Sequence, residues 1–291
     1  MIDGFRIDHP DGLADPRGYL QQLREATNGA WVVVEKILHA DETLPSDFEC
    51  AGTTGYDAMW RIDGLFSDHD SVPHLTQLWE AFTNDSRDFS DIAADSAATV
   101  INESLWTEIE RLTGLAHETT SRTLEWRDVT RRSLERAIVA LLTCMDRYRA
   151  YVVPGEPIPE SERAVLDSAA ARARAKLATD RERAALDAIV ELASGAECGE
   201  GVDAGREFVT RFAQTCGPVH AKAIEDTAFY RYNRFVAVNE VGASPDVIGV
   251  RPSVLHEHCD RMAREWPWTM TTLSTHAVSY THLRAHETEA D

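Results

Sequence analysis

Two carboxylates and one arginine carry the clearest chemistry in this sequence. Asp8 closes the run "GFRID", with Arg6 two residues before it, and Glu35 closes the run "WVVVE" that begins at Trp31. Residues two apart on a strand share a face, so Arg6 is placed to keep Asp8 ionised through charge-assisted hydrogen bonds. Glu35 follows three valines, an apolar setting that would suit it to donate a proton. One charged carboxylate and one proton donor about 5 Å apart fit retaining glycosyl transfer, in which the first attacks an anomeric carbon while the second protonates the departing oxygen. An Arg–Asp pair at a strand end is also a common structural ion pair, so spacing alone leaves both readings open.

The elements that would position these groups are legible. Residues 2 to 8 and 31 to 38 are short runs rich in β-branched residues. Between them Asp15-Pro16 opens a helix with a capping residue and a first-turn proline, and Asn28-Gly29 closes it. Strand, helix, strand makes a βαβ unit with parallel strands, so Asp8 and Glu35 share one rim. The carboxyl ends of parallel strands are where barrel enzymes place their reacting groups.

From about Leu65 to Arg206 the pattern becomes helix after helix, over 101 to 116, 121 to 151 and 160 to 194, with "TDRER" at 179 to 183 restarting the last as a second helix. "VVPGEPIPES" at 152 to 161 reads as an exposed connector. After Arg206 a βα style returns, with strands expected over Pro218 to Ala223 and Thr269 to Thr275. The domain expectation is a barrel segment over 1–64, an α-helical insertion over 65–206, a second barrel segment over 207–276, and a separate tail, 277–291. Trp60, Trp79, Trp106 and Trp126 read as core rather than as sugar platforms.

Charge narrows the partners. Against 29 Lys and Arg stand 49 Asp and Glu, a net charge of -20, which disfavours nucleic acid and anionic membrane surfaces. A neutral, hydroxyl-rich ligand meets no such repulsion. No apolar run reaches the length of a membrane span, and the first residues lack the pattern of a signal peptide, so a cytoplasmic protein is expected. Five scattered cysteines without a C-x-x-C imply reduced thiols. "LHEHCDR" at 255 to 261 does not converge His256, His258 and Cys259 on one helix face, and "AGTTGYD" lacks the ending of a phosphate loop, so neither a metal nor a nucleotide is expected.

"GFRIDH" and "VVVEKIL", their carboxylates 27 positions apart, resemble two signature regions of the α-amylase superfamily, glycoside hydrolase family 13. With "AGTTGYDA" at 51 to 58 and "GPVHAKAIEDTAFYRYNR" at 217 to 234, they resemble the maltooligosyltrehalose synthases within it. The resemblance implies a partial (β/α)8 TIM barrel, about strands 4 to 7, with strands 4 and 5 in the first barrel segment, 6 and 7 in the second, and a large helical insertion between. It implies Asp8 as nucleophile, Glu35 as general acid/base and Arg6 as the residue that positions Asp8. His9 and His276 match sugar-binding histidines. Tyr56, Lys222, Glu225, Asp226, Phe229 and Tyr230 are implied as further substrate contacts, with Asp57 beside them. The implied reaction moves the reducing-end α-1,4 bond of a maltooligosaccharide to an α,α-1,1 bond by double displacement. It needs no cofactor, no metal and no obligate protein partner.

Two departures from the resemblance are visible. The chain opens at what would be the fourth barrel strand, and position 277 is Ala where the family pattern continues "STH" with an aspartate. The tail "VSYTHLRAHETEAD" is unlike the family and resembles a translated adapter, so a fragment truncated at both ends and inactive by itself is expected. Two other readings remain open: another glucan hydrolase or transglycosylase of the superfamily, and a non-catalytic helical interaction module built on residues 65 to 205.

Overall fold

The computed structural model describes residues 2–195 and 202–273. The expected βαβ unit is present. Strand β1 (Gly4–Ile7) leads through helix α1 (Pro16–Ala26) to strand β2 (Trp31–Val34). The Asp15 side chain accepts from the Gly18 N–H at 2.9 Å and caps α1, with Pro16 in its first turn. Asn28 and Gly29, at φ 53° and 78°, turn the chain out of it. β1 and β2 pair in parallel, Arg6 opposite Val33 and Ile7 opposite Val34.

A two-residue strand, β3 (Gly52–Thr53), extends the sheet to the order β1-β2-β3, again in parallel. Gly52 and Gly55 allow a close approach of backbone. A Cβ on Gly52 would lie 2.3 Å from the Thr269 hydroxyl oxygen, and one on Gly55 2.8 Å from the Thr272 backbone nitrogen. Gly55 also has φ 99°. The glycines let the 269–272 segment run against β3, where the Met270 N–H reaches the Thr53 carbonyl at 3.1 Å. Residues 269–273 form no ladder strand, and 274–275 lie outside the described residues.

The rest of the described chain is mostly helical: α2 (Tyr56–Gly64), α3 (Val72–Thr83), α4 (Phe89–Ser104), α5 (Trp106–Arg122), α6 (Arg131–Leu142), α7 (Glu160–Lys176), α8 (Asp180–Ala193), α9 (Val202–His220), α10 (Phe229–Arg231) and α11 (Pro252–Glu265). The helix expected over 121 to 151 shrinks to α6, which Thr130 caps. The break at "TDRER" falls as expected, where Thr179 and Glu182 form a capping box. The strand expected over Pro218 to Ala223 is instead the end of α9 and the start of a π-helical run, Ala221–Ala228. Cys216, Val219 and Ala223 are buried three and four apart, a helical spacing that the alternation in "VHAKA" concealed. The strands implied for the second barrel segment are thus not formed among the described residues. No described helix is long and apolar enough to cross a membrane.

The chain divides into two compact units. One holds residues 2–10, 15–93 and 225–273, and with them the sheet. The other holds 11–14 and 94–224 and packs one apolar core in which Ile109, Leu134, Ile138, Leu166, Leu186 and Phe208 are wholly buried. Within it Arg149, 1% exposed, donates to the carbonyls of Asp11, Leu13 and Ala14. The Tyr151 hydroxyl donates to the Asp11 carboxylate, and Gln214 to the Gly12 carbonyl at 2.9 Å. A loop of four residues is therefore tied by side chains from more than 130 positions away.

Candidate active site

Parallel pairing brings the ends of β1 and β2 to one rim, and the ladder runs one step past the strands, with the Glu35 N–H donating to the Ile7 carbonyl at 2.8 Å. Arg6 lies between the two acids. Its Nη1 is 2.7 Å from Asp8 Oδ1 and its Nη2 is 3.0 Å from Glu35 Oε1. One rigid guanidinium thus grips both carboxylates, which holds their nearest oxygens within roughly 8 Å of each other. Asp8 is 71% exposed and Glu35 19%. The setting of Glu35 is polar rather than the apolar one its valines suggested. Besides Arg6, the Tyr56 hydroxyl donates to Oε1 at 3.2 Å and the His9 backbone N–H to Oε2 at 3.3 Å.

Tyr56 reaches this rim because Gly55, in the left-handed region, starts α2 directly after β3. Its ring is 2% exposed against Met59 and Val241, so only its hydroxyl serves the site. His9 has φ 42°, an uncommon conformation for a non-glycine residue, which turns its N–H toward Glu35.

No family model matches the chain. A Mycobacterium tuberculosis (strain H37Rv) protein named as a maltooligosyl trehalose synthase is 37% identical over 278 residues, covering 95% of this chain and 33% of that protein. The solved maltooligosyltrehalose synthase of Arthrobacter ramosus superposes with a TM-score of 0.79 at 33% identity, over 94% of this chain and 33% of that one. A solved structure described as DSM5389 glycosyltrehalose synthase gives 0.67 at 28% identity, over 94% and 31%. This chain is similar to one stretch of the maltooligosyltrehalose synthases. It spans about a third of the length of the curated relatives it matches.

Of the residues that the synthase resemblance nominated, Arg6, Asp8, His9, Glu35 and Tyr56 meet at one place. Lys222, Glu225 and Asp226 lie on the π-helical run, Lys222 and Asp226 exposed and Glu225 half-buried. Tyr230 on α10 is 48% exposed. Phe229 is core rather than cleft lining: it is 1% exposed and stacks on Phe89 at 6.1 Å. His276 lies outside the described residues. Asp57 also turns inward, accepting from the Thr53 hydroxyl at 2.6 Å and facing His258 Nε2 at 3.7 Å. Of the tryptophans read as core, Trp106 is 40% exposed and Trp126 sits in a turn against the helical core.

The sequence reading missed Lys36 and Glu42. Lys36 has no exposed surface, and its Nζ lies 2.9 Å from Glu42 Oε1. The signal was available: a lysine directly after a rim carboxylate at a strand end points to the opposite, buried face.

Proposed function

We propose that this chain carries the nucleophile and the acid/base of an intramolecular transglucosylase acting on maltooligosaccharides, within a partial (β/α)8 barrel built around β1 to β3. The unit that holds the sheet would contribute to that barrel, and the helical unit interrupts it in the sequence. One observation supports the reading above others: a single guanidinium holds two carboxylates from the ends of adjacent parallel strands, inside the segment shared with the synthases. Asp8, exposed at the rim, attacks the anomeric carbon of the penultimate glucose while Glu35 protonates the oxygen of the reducing-end α-1,4 bond. The freed glucose stays in place, turns, and gives the proton of its anomeric hydroxyl to Glu35 as that oxygen displaces Asp8. The product is an α,α-1,1-linked maltooligosyl trehalose. The thiols of Cys50, Cys144, Cys216 and Cys259, free in this structure, fit a reducing, cytoplasmic setting.

Water must be kept from the glycosyl intermediate, since its attack would make the reaction a hydrolysis. The hydrolase reading uses the same two carboxylates and differs only in the acceptor. Product analysis separates the two in a full-length synthase carrying this segment, given maltopentaose. A non-reducing product of unchanged length supports the transglucosylase, and shorter chains with new reducing ends support the hydrolase. Asp8→Asn and Glu35→Gln are each expected to lower kcat by about a thousandfold or more. Unchanged turnover in either variant removes that residue from the mechanism.

A further inference from the structure

Lys36 and Glu42 form a charged pair sealed from solvent, 0% and 5% exposed at the side chains, one residue beyond the proposed acid/base. A sealed ion pair is a poor device for stability alone, because apolar residues of similar volume often serve as well or better. Its location suggests another task. The Lys36 N–H donates to the Val34 carbonyl at 3.0 Å, which makes Glu35 the middle residue of a three-residue turn. That carbonyl also accepts from the Thr54 N–H at 3.0 Å, so the turn is locked to the segment leading to Tyr56. Lys36 Nζ donates to the Ile37 carbonyl at 3.0 Å, Glu42 Oε2 accepts from the His39 N–H at 3.0 Å, and the Glu42 N–H donates to the His39 carbonyl at 2.9 Å. These last three bonds close the 36–42 loop on itself, directly after Glu35 in the chain.

We propose that Lys36 and Glu42 are positioning residues: their buried pair fixes the turn that aims the Glu35 carboxylate at Arg6, Tyr56 and the scissile oxygen. The ladder bond from Glu35 to Ile7 holds the entry to this turn, and the pair holds its exit. The inference rests on the acid/base reading of Glu35. A misplacement of the order of 1 Å at a reacting group lowers the rate by roughly a hundredfold.

The test uses a full-length synthase carrying this segment and the double substitution Lys36→Met/Glu42→Leu, which keeps the volume and removes both charges. Positioning predicts a melting temperature within about 3 °C of the parent, with kcat down at least about tenfold and KM within about twofold. A folded double variant with parental kcat overturns the proposal, as does a rise in KM alone. Glu42→Asp, which keeps the charge and shortens its reach, is read by the same criteria if the apolar pair fails to fold. Unfolding of both variants also counts against the proposal, because it makes the pair a general requirement of the fold. Glu35→Gln in the same protein separates the two claims. If it retains turnover, the acid/base reading fails; if it is inactive while the double variant is fully active, only the positioning role fails.

Discussion

At the scale of single residues, Tyr56 divides two explanations of the same side chain. The synthase resemblance makes it a sugar contact, whereas its hydroxyl donates to Glu35 from a ring that is 2% exposed. Tyr56→Phe keeps the ring against Met59 and Val241 and deletes one hydrogen bond to a carboxylate, worth about 1.5–3 kcal/mol. Such a loss at the acid/base is expected to lower kcat about tenfold or more with little change in KM or melting temperature. A rise in KM at constant kcat would return Tyr56 to the sugar. The Arg6–Asp8 contact was legible, because two-residue spacing fixes the face of a strand. The grip of Arg6 on Glu35 was not, since it depends on a register that places Arg6 opposite Val33. Phe229 misled because it sits beside the exposed Tyr230 and near the exposed Asp226, while its burial depends on Phe89, far earlier in the chain.

At the scale of elements, local chemistry was the most readable. Asp15, Pro16, Asn28 and Gly29 bound α1 because each acts on backbone within a few residues of itself. Thr179 and Glu182 divide α7 from α8 in the same way. The two-residue β3 was unreadable, since it has too few residues to show a period and exists only through its partners. The capping box supports an acid-side prediction. Arg136, then the N–H groups of Thr179 and Ala178, hold the Glu182 carboxyl down to about 2 from 4.5. A depressed folded value gives a contribution that is complete above about pH 4.5 and is lost as pH falls toward 2. Acid titration of the folded chain, followed by circular dichroism, should therefore lose helix at a higher pH in Arg136→Met than in the parent. Glu182→Gln should remove the titration, and Thr179→Ala should lower stability by about 1 kcal/mol at neutral pH.

At the scale of the whole chain, the two units imply two unfolding events. Each has its own core, one beneath the sheet around Tyr56 and Met59 and one inside the helical unit. Each also has a buried polar cluster that addresses it alone. In the helical unit Arg149→Met leaves three carbonyls without their donor, expected to lower that unit's melting temperature by on the order of 10 °C. In the sheet unit α11 presents His258, 4% exposed, to Asp57 on α2. Burial pushes the imidazole below 6.5, with Arg61 and Arg261 adding to that push and Asp57 opposing it. A depressed histidine stabilises fully above about pH 6.5 and loses its contribution as pH falls below that value, because the unfolded chain then binds the proton more readily. Calorimetry of the chain should show two transitions. Arg149→Met should move one at every pH. Acidification from pH 8 to about 5.5 should move the other, and His258→Asn should remove much of that second shift. A single transition displaced by both substitutions would mean that the two cores unfold as one.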